Sequence, residues 1–315
     1  MEKSIIILLC IFSAVSTTQA YLLGGTTNVY SHDCLPPACK GCGYFNYASP
    51  IATVNDFLIT CNRAQLSTFP TVNSINISQN SVKIDLSSNY FTNIPGNVFH
   101  QVHLQSQAKV TMKLDFNSIS GIDGNAFNGI SMQITSLDLS YNRLDNIPSA
   151  IGTLNNLRSL YLKENPLSHV DNSVTTGFSH SLTYFNFDFD YLPSWPNSFK
   201  NLSALEYLEI NDIANELIDA SIFDGFANSL KELSLLYDVR DNGPNFLTIP
   251  PAVTHLQNLQ TLTIGGEVYC TCNLSYLKNW QVPSFIKAAG KSFLPCNDSN
   301  ILVDDYIHTV GQQCH

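Results

Sequence analysis

Between residues 84 and 264 the apolar positions recur in a frame that neither a helix nor an ordinary strand produces. Ile134, Leu137, Leu139, Asn142, Leu144 and Ile147 show it in full. Leu137 and Leu139 alternate as strand residues do. The spacing then turns irregular, and an amide stands among the leucines. One repeat later come Leu157, Leu160, Leu162, Asn165, Leu167 and Val170. Earlier copies are Met112, Leu114, Asn117, Ile119, Ile122, Phe127 and Ile84, Leu86, Asn89, Phe91, Ile94, Phe99. Further on, Leu182, Phe185 and Phe187 keep the frame, with Asp190 in the Asn place and Leu192 and Trp195 following. Leu205, Leu208, Ile210, then Leu230, Leu233, Leu235, and Leu259, Leu262, Ile264 continue it. From residue 134 the first positions are 134, 157, 182, 205, 230 and 259.

A period of this length means a solenoid, in which each coil is one short strand and a return. The amide at Asn142 is tolerable inside only if its donors and acceptor are all paired, within its own coil and its neighbour. Pro148 falls in the return, where it interrupts no ladder. The frame resembles the leucine-rich repeat. That resemblance implies a curved α/β leucine-rich-repeat solenoid with a parallel sheet on the concave side. Loops and 3-10 turns would form the convex side, with disulfide caps at both ends. The Asn position is lost near Ile213, Asp238 and Glu267, so irregular loops are expected at 211–215 and 238–246.

The N-terminus adds a compartment. Lys3 precedes an apolar run from Ile5 to Val15, and Thr18-Gln19-Ala20 offers small residues at −3 and −1 of a cleavage point. This is the pattern of a secretory leader, too short to span a bilayer. The expected division is a signal peptide at 1–20, an N-terminal lead-in and cysteine cap at 21–70, about eight repeats over 71–268, and a C-terminal cysteine cap at 269–315. No second apolar stretch of spanning length follows, so neither membrane insertion nor a lipid-tail anchor is expected. The chain has nine cysteines, and eight remain after Cys10 leaves with the leader. They form two groups of four with none between 62 and 269, which in a secreted chain reads as two stapled ends. Sequons at Asn76, Asn201, Asn273 and Asn297 are glycosylation candidates on that route.

The C-terminal group resembles the flanking cap of extracellular leucine-rich-repeat proteins, through Cys270-x-Cys272 followed by Leu274, Leu277 and Trp280. The resemblance implies the pairs Cys270–Cys296 and Cys272–Cys314. Cys61, followed by Leu66, Phe69 and Pro70, resembles the close of the matching N-terminal cap. There the resemblance implies Cys34–Cys42 with Cys39–Cys61, although four cysteines permit three pairings and Cys39-x-x-Cys42 departs from the usual tight cluster.

Net charge is −10 with charged residues at only 13%. A nucleic-acid or anionic-membrane partner needs a basic face, so neither is expected. No catalytic motif, cofactor fingerprint or convincing metal spacing is present. His100-x-x-His103 reads as an exposed pair. The outward positions of the strands carry more information. One column reads Ser88, Phe116, Tyr141, Glu164, Phe189, Asp212, Tyr237, and another reads Asp85, Lys113, Asp138, Tyr161, Asn186, Glu209, Ser234. Tyr184 and Tyr207 stand in register beside them. Exposed aromatics with polar flanks are anchors at protein interfaces, although aromatics also simply suit a strand surface. The expectation is a secreted, non-enzymatic protein that binds a secreted or cell-surface protein on its concave face. The residues are Phe116, Tyr141, Tyr161, Tyr184, Phe189, Tyr207 and Tyr237, with Asp138 and Glu209 favouring a basic partner. Two other readings stand. One is a non-catalytic subunit of a secreted enzyme, since the architecture resembles the leucine-rich-repeat subunits of secreted shrimp luciferases. The other is soluble immune or carbohydrate recognition. Oligomeric state is not readable from the sequence.

Overall fold

Alternation within each short strand decides which face is core. Val82, Ile84 and Leu86 are buried, and so are Val110, Met112 and Leu114, then Leu137 and Leu139, then Leu160 and Leu162. Phe185 and Phe187, Leu208 and Ile210, Leu233 and Leu235, and Leu262 and Ile264 continue the same two rows. The residues between them face outward. Each buried Leu or Ile contributes roughly 1.5–3 kcal/mol, and coils share one continuous core, so no coil is stable alone.

The structure is a computed structural model describing residues 21–23, 26–31, 39, 41–49, 52–213, 218–236, 246–265, 267–280, 283–297 and 301–309. Thirteen strands form one sheet. In chain order they are β1 (Tyr21–Leu23), β2 (Thr26–Ser31), β3 (Gly41–Ser49), β4 (Ala52–Thr60), β5 (Ser81–Asp85), β6 (Lys109–Lys113) and β7 (Ile134–Asp138). Then follow β8 (Ser159–Tyr161), β9 (Tyr184–Asp188), β10 (Tyr207–Asn211), β11 (Glu232–Leu236), β12 (Thr261–Ile264) and β13 (Phe285–Ala288). The spatial order is the chain order. β1 to β4 pair antiparallel, and every pairing from β4 to β13 is parallel. The antiparallel start was not part of the sequence expectation; no period marks it.

The returns carry a stack of 3-10 turns at Ser149–Thr153, Val174–Gly177, Asn197–Asn201, Ala220–Phe223 and Pro251–His255. Neighbouring turns come close. A Cβ on Gly177 would strike the Gly152 carbonyl, and one on Gly225 the Lys200 carbonyl. Among the described residues the single α-helix is Val303–His308, and no helix is long and apolar enough to cross a membrane. Together these elements make a leucine-rich-repeat solenoid.

Cys39 is bonded to Cys61 and Cys270 to Cys296. Cys272 is itself disulfide-bonded. Cys34, Cys314 and the Cys42 side chain lie outside the described residues, as do the leader at 1–20, residues 214–215 of the first expected loop and 238–245 of the second; Asn211 itself ends β10. At the C-terminal end Leu274 and Leu277 are buried in the common core and Trp280 packs against it.

Candidate functional site

The site begins with the buried amides. Asn142 donates through Nδ2 to the carbonyls of Leu139 at 3.0 Å, Ser140 at 3.2 Å and, in the preceding coil, Leu114 at 3.0 Å. Its Oδ1 accepts the Ile119 N–H at 2.8 Å. Asn89, Asn117 and Asn165 repeat the pattern, the last accepting from Leu144 and donating to Leu139 and Leu162. The residue just before each of these four asparagines is left-handed: Ser88, Phe116, Tyr141 and Glu164 have φ between 54° and 57°. That conformation costs an L-residue about 1–2 kcal/mol. It persists because the flanking groups are fixed: Tyr141 N–H donates to Lys163 O, Phe116 N–H to Ser140 O, and the next residue is the clamped Asn.

The left-handed turn throws the side chain outward. Phe116 and Tyr141 are 53% and 39% exposed, and their rings stack with centroids 4.3 Å apart and planes 8° apart. A second aromatic group lies further along the sheet. Register pairs Ser136, Ser159, Tyr184, Tyr207 and Glu232 across β7 to β11, and Asp138, Tyr161, Asn186, Glu209 and Ser234 beside them. Tyr161 and Tyr184 are half-buried with centroids 4.7 Å apart; Tyr207 is exposed and stacks on Tyr184 at 6.4 Å. Burial, then Glu209 and its neighbours, hold the Tyr184 phenol well above its ordinary range, and burial followed by Asp138 raises Tyr161. Both hydroxyls therefore stay protonated and can donate. Half-buried Glu209 accepts from Asn186 Nδ2 at 2.6 Å, and half-buried Asp138 accepts from the Ser140 N–H at 3.0 Å.

Phe189 does not join this face. It is buried, stacks on Trp195 at 6.0 Å and lies 6.5 Å from Phe187. Its column position matches that of Tyr141, yet it is not left-handed. The next residue is Asp190, exposed where the Asn column runs in the earlier coils. An ionised carboxylate accepts but cannot donate, so it cannot tie three carbonyls. Loss of the clamp is not sufficient by itself, since Asp212 is left-handed ahead of Ile213; here the ring enters a cluster with Phe187, Trp195 and Phe199. The run of aromatics from Phe185 to Phe199 was the sequence signal for it. Tyr237 lies outside the described residues. Asn76, Asn201 and Asn297 are exposed and none is in the main sheet; the Asn273 side chain lies outside the described residues.

Sequence reasoning missed the carboxylates under this face. Asp188, which ends β9, is buried. Its Oδ2 accepts the Glu164 N–H at 2.5 Å and its Oδ1 has no partner. Burial pushes its acid up to about 6. Asp212 and Glu164 add to the rise, and the hydrogen bonds from the Glu164 amide and Asn211 oppose it. Asp115 Oδ1 is likewise buried without a partner, and burial followed by Asp138 raises its acid. Among the described residues no group of three His, Cys, Asp or Glu is placed to hold a metal ion.

Residues 110–167 match the leucine rich repeat family model. No curated protein matches the chain. Among solved structures the chain is similar to a leucine-rich-repeat protein of Leptospira interrogans, at 18% identity and TM-score 0.43, over 68% of this chain and 50% of that one. It is similar to the protein in a TLR13–ssRNA13 complex at 19% identity and TM-score 0.45, covering 69% of this chain and 38% of the other. It also resembles a chain of an octameric complex of Latrophilin 3, Unc5D and FLRT2, at 17% identity and TM-score 0.40, covering 76% and 90%. The chain spans half the length of the first of these and less of the second.

Proposed function

We propose that this leucine-rich-repeat solenoid is a secreted, non-enzymatic protein that captures a protein partner on its concave face. Phe116, Tyr141, Tyr161, Tyr184 and Tyr207 are the anchors, and Asp138 and Glu209 favour a partner that presents a basic patch. The observation that carries the reading is the pair of aromatic groups held out on a rigid sheet. Phe116 stays 53% exposed in a left-handed conformation that folding alone does not require of a phenylalanine. Rigid aromatics lose little entropy on docking and dominate interface energetics. The sequons support the same orientation: glycans at Asn76, Asn201 and Asn297 would stand clear of the sheet. Two disulfides fit an oxidising, extracellular setting.

The test is Tyr184→Ala with Tyr207→Ala, read against whatever protein co-purifies with the native molecule. The expected result is at least about a tenfold loss of affinity with the unfolding midpoint little changed. Unchanged affinity removes the concave face from the account. A stoichiometric second chain with an enzyme fold would make this molecule an accessory subunit. Retention on microbial glycans without a protein partner would replace the protein ligand by a carbohydrate.

A further inference from the structure

Asp188 is 5% exposed, and one of its carboxyl oxygens neither meets solvent nor accepts a hydrogen bond. The charges that act on it, Asp212 and Glu164, carry its own sign. A buried carboxylate is costly unless a cation or enough donors meet it. The chain keeps this one on the outward face of its sheet, in the row that Lys163 and Asn211 share. Tyr161 stands one strand over and one pleat back, since it pairs with Asn186.

From this we infer that the concave face has a subsite for a basic side chain of the partner, seated between Glu164 and Asp212 and paired to Asp188. The inference rests on the concave face being the docking surface. A guanidinium suits the place better than a metal ion. The described carboxylates form no metal-holding group, and the Tyr161 ring offers a π-face to a flat cation. The carboxyl is buried in the free chain, so seating the guanidinium displaces the side chains that cover it. The second orphaned oxygen, on Asp115, lies three strands away in the same row, linked through Ser140 and Lys163. Three strand spacings come to about 14 Å, which an extended peptide covers in about four residues. The segment recognised therefore carries basic residues about four apart and runs across the strands.

The experiment uses the secreted full chain and a blocked Arg-Gly-Ser-Gly-Arg peptide, with its citrulline analogue and calcium chloride as separate arms. Saturable binding at neutral pH is expected. It should weaken at least about tenfold for Asp188→Asn and for the citrulline peptide, since each removes one charge of the pair. Equal binding by a folded Asp188→Asn protein overturns the subsite. So does the absence of saturable binding to wild type, or calcium binding that Asp188→Asn abolishes. If the native partner still depends on Tyr184 and Tyr207 while Asp188→Asn leaves its affinity unchanged, the docking face stands and only the basic subsite falls.

Discussion

Asn142→Ala is the substitution whose cost follows most directly from the fold. It removes the acceptor of the Ile119 N–H and the donor that serves the Leu139, Ser140 and Leu114 carbonyls. The site is buried, so the Ile119 N–H loses an acceptor that water does not readily replace, while the Leu114 and Leu139 carbonyls keep the Asn117 and Asn165 amides. Each orphaned buried group costs about 1–3 kcal/mol. One orphan, with weakened pairing at carbonyls that keep a second donor, gives roughly 2–4 kcal/mol, and a water entering the space left by the amide moves the total toward the lower end. A whole domain is stable by only about 5–15 kcal/mol, so the loss should be plain in denaturant unfolding followed by circular dichroism. It should also appear locally, as faster hydrogen exchange at Ile119 and at Tyr141, whose left-handed backbone the amide steadies. Asn172→Ala, at an exposed position, is the control and should cost about 0.5 kcal/mol or less. Asn142→Asp keeps an acceptor but turns a carboxylate toward three carbonyls, and should be no better than alanine. A cost for Asn142→Ala within about 1 kcal/mol of the control would refute the claim that the amide column holds the coils in place.

Asp188→Asn should raise stability at neutral pH. Its folded acid, at about 6, lies above the ordinary 3.8, so its contribution is fully present below pH 3.8 and is lost as pH rises through 6. A shift of some two units corresponds to about 3 kcal/mol as an upper figure. The variant should flatten the stability profile between pH 4 and 6, and an unchanged profile would show that Asp188 is not the group responsible. Gly225→Ala should destabilise by several kcal/mol, because its Cβ would meet the Lys200 carbonyl; the same change at open Gly124 should cost about 1 kcal/mol or less. Replacing Cys270 and Cys296 together by serine should cost about 2–5 kcal/mol and loosen the C-terminal end first, read by proteolysis with mass mapping.

The parts of the fold that repeat were legible because a solenoid writes its contacts at a fixed period. Leu137, Leu139 and Asn142 announce a strand and a buried amide, and the neighbours that satisfy the amide lie one period away. The register of Tyr184 beside Tyr207 follows from the same period. Legibility failed where one coil departs from its neighbours. Phe189 keeps the spacing of Tyr141, but Asp190 replaces the Asn after it and a local aromatic cluster around Trp195 takes up the ring. Asp188 was hidden for a different reason: outward alternation places it at the surface, while the side chains around Glu164 and Asp212 close over it. The antiparallel strands from Tyr21 to Thr60 have no period to read.

The central claim is that the partner docks on the sheet and not on the returns. A photo-reactive benzoylphenylalanine placed at Tyr184, and separately at exposed Thr176 on a 3-10 turn, tests it in the protein's native milieu. The account expects a discrete protein adduct from position 184 and none from 176. Adducts from 176 alone would contradict it and move the binding surface to the convex side.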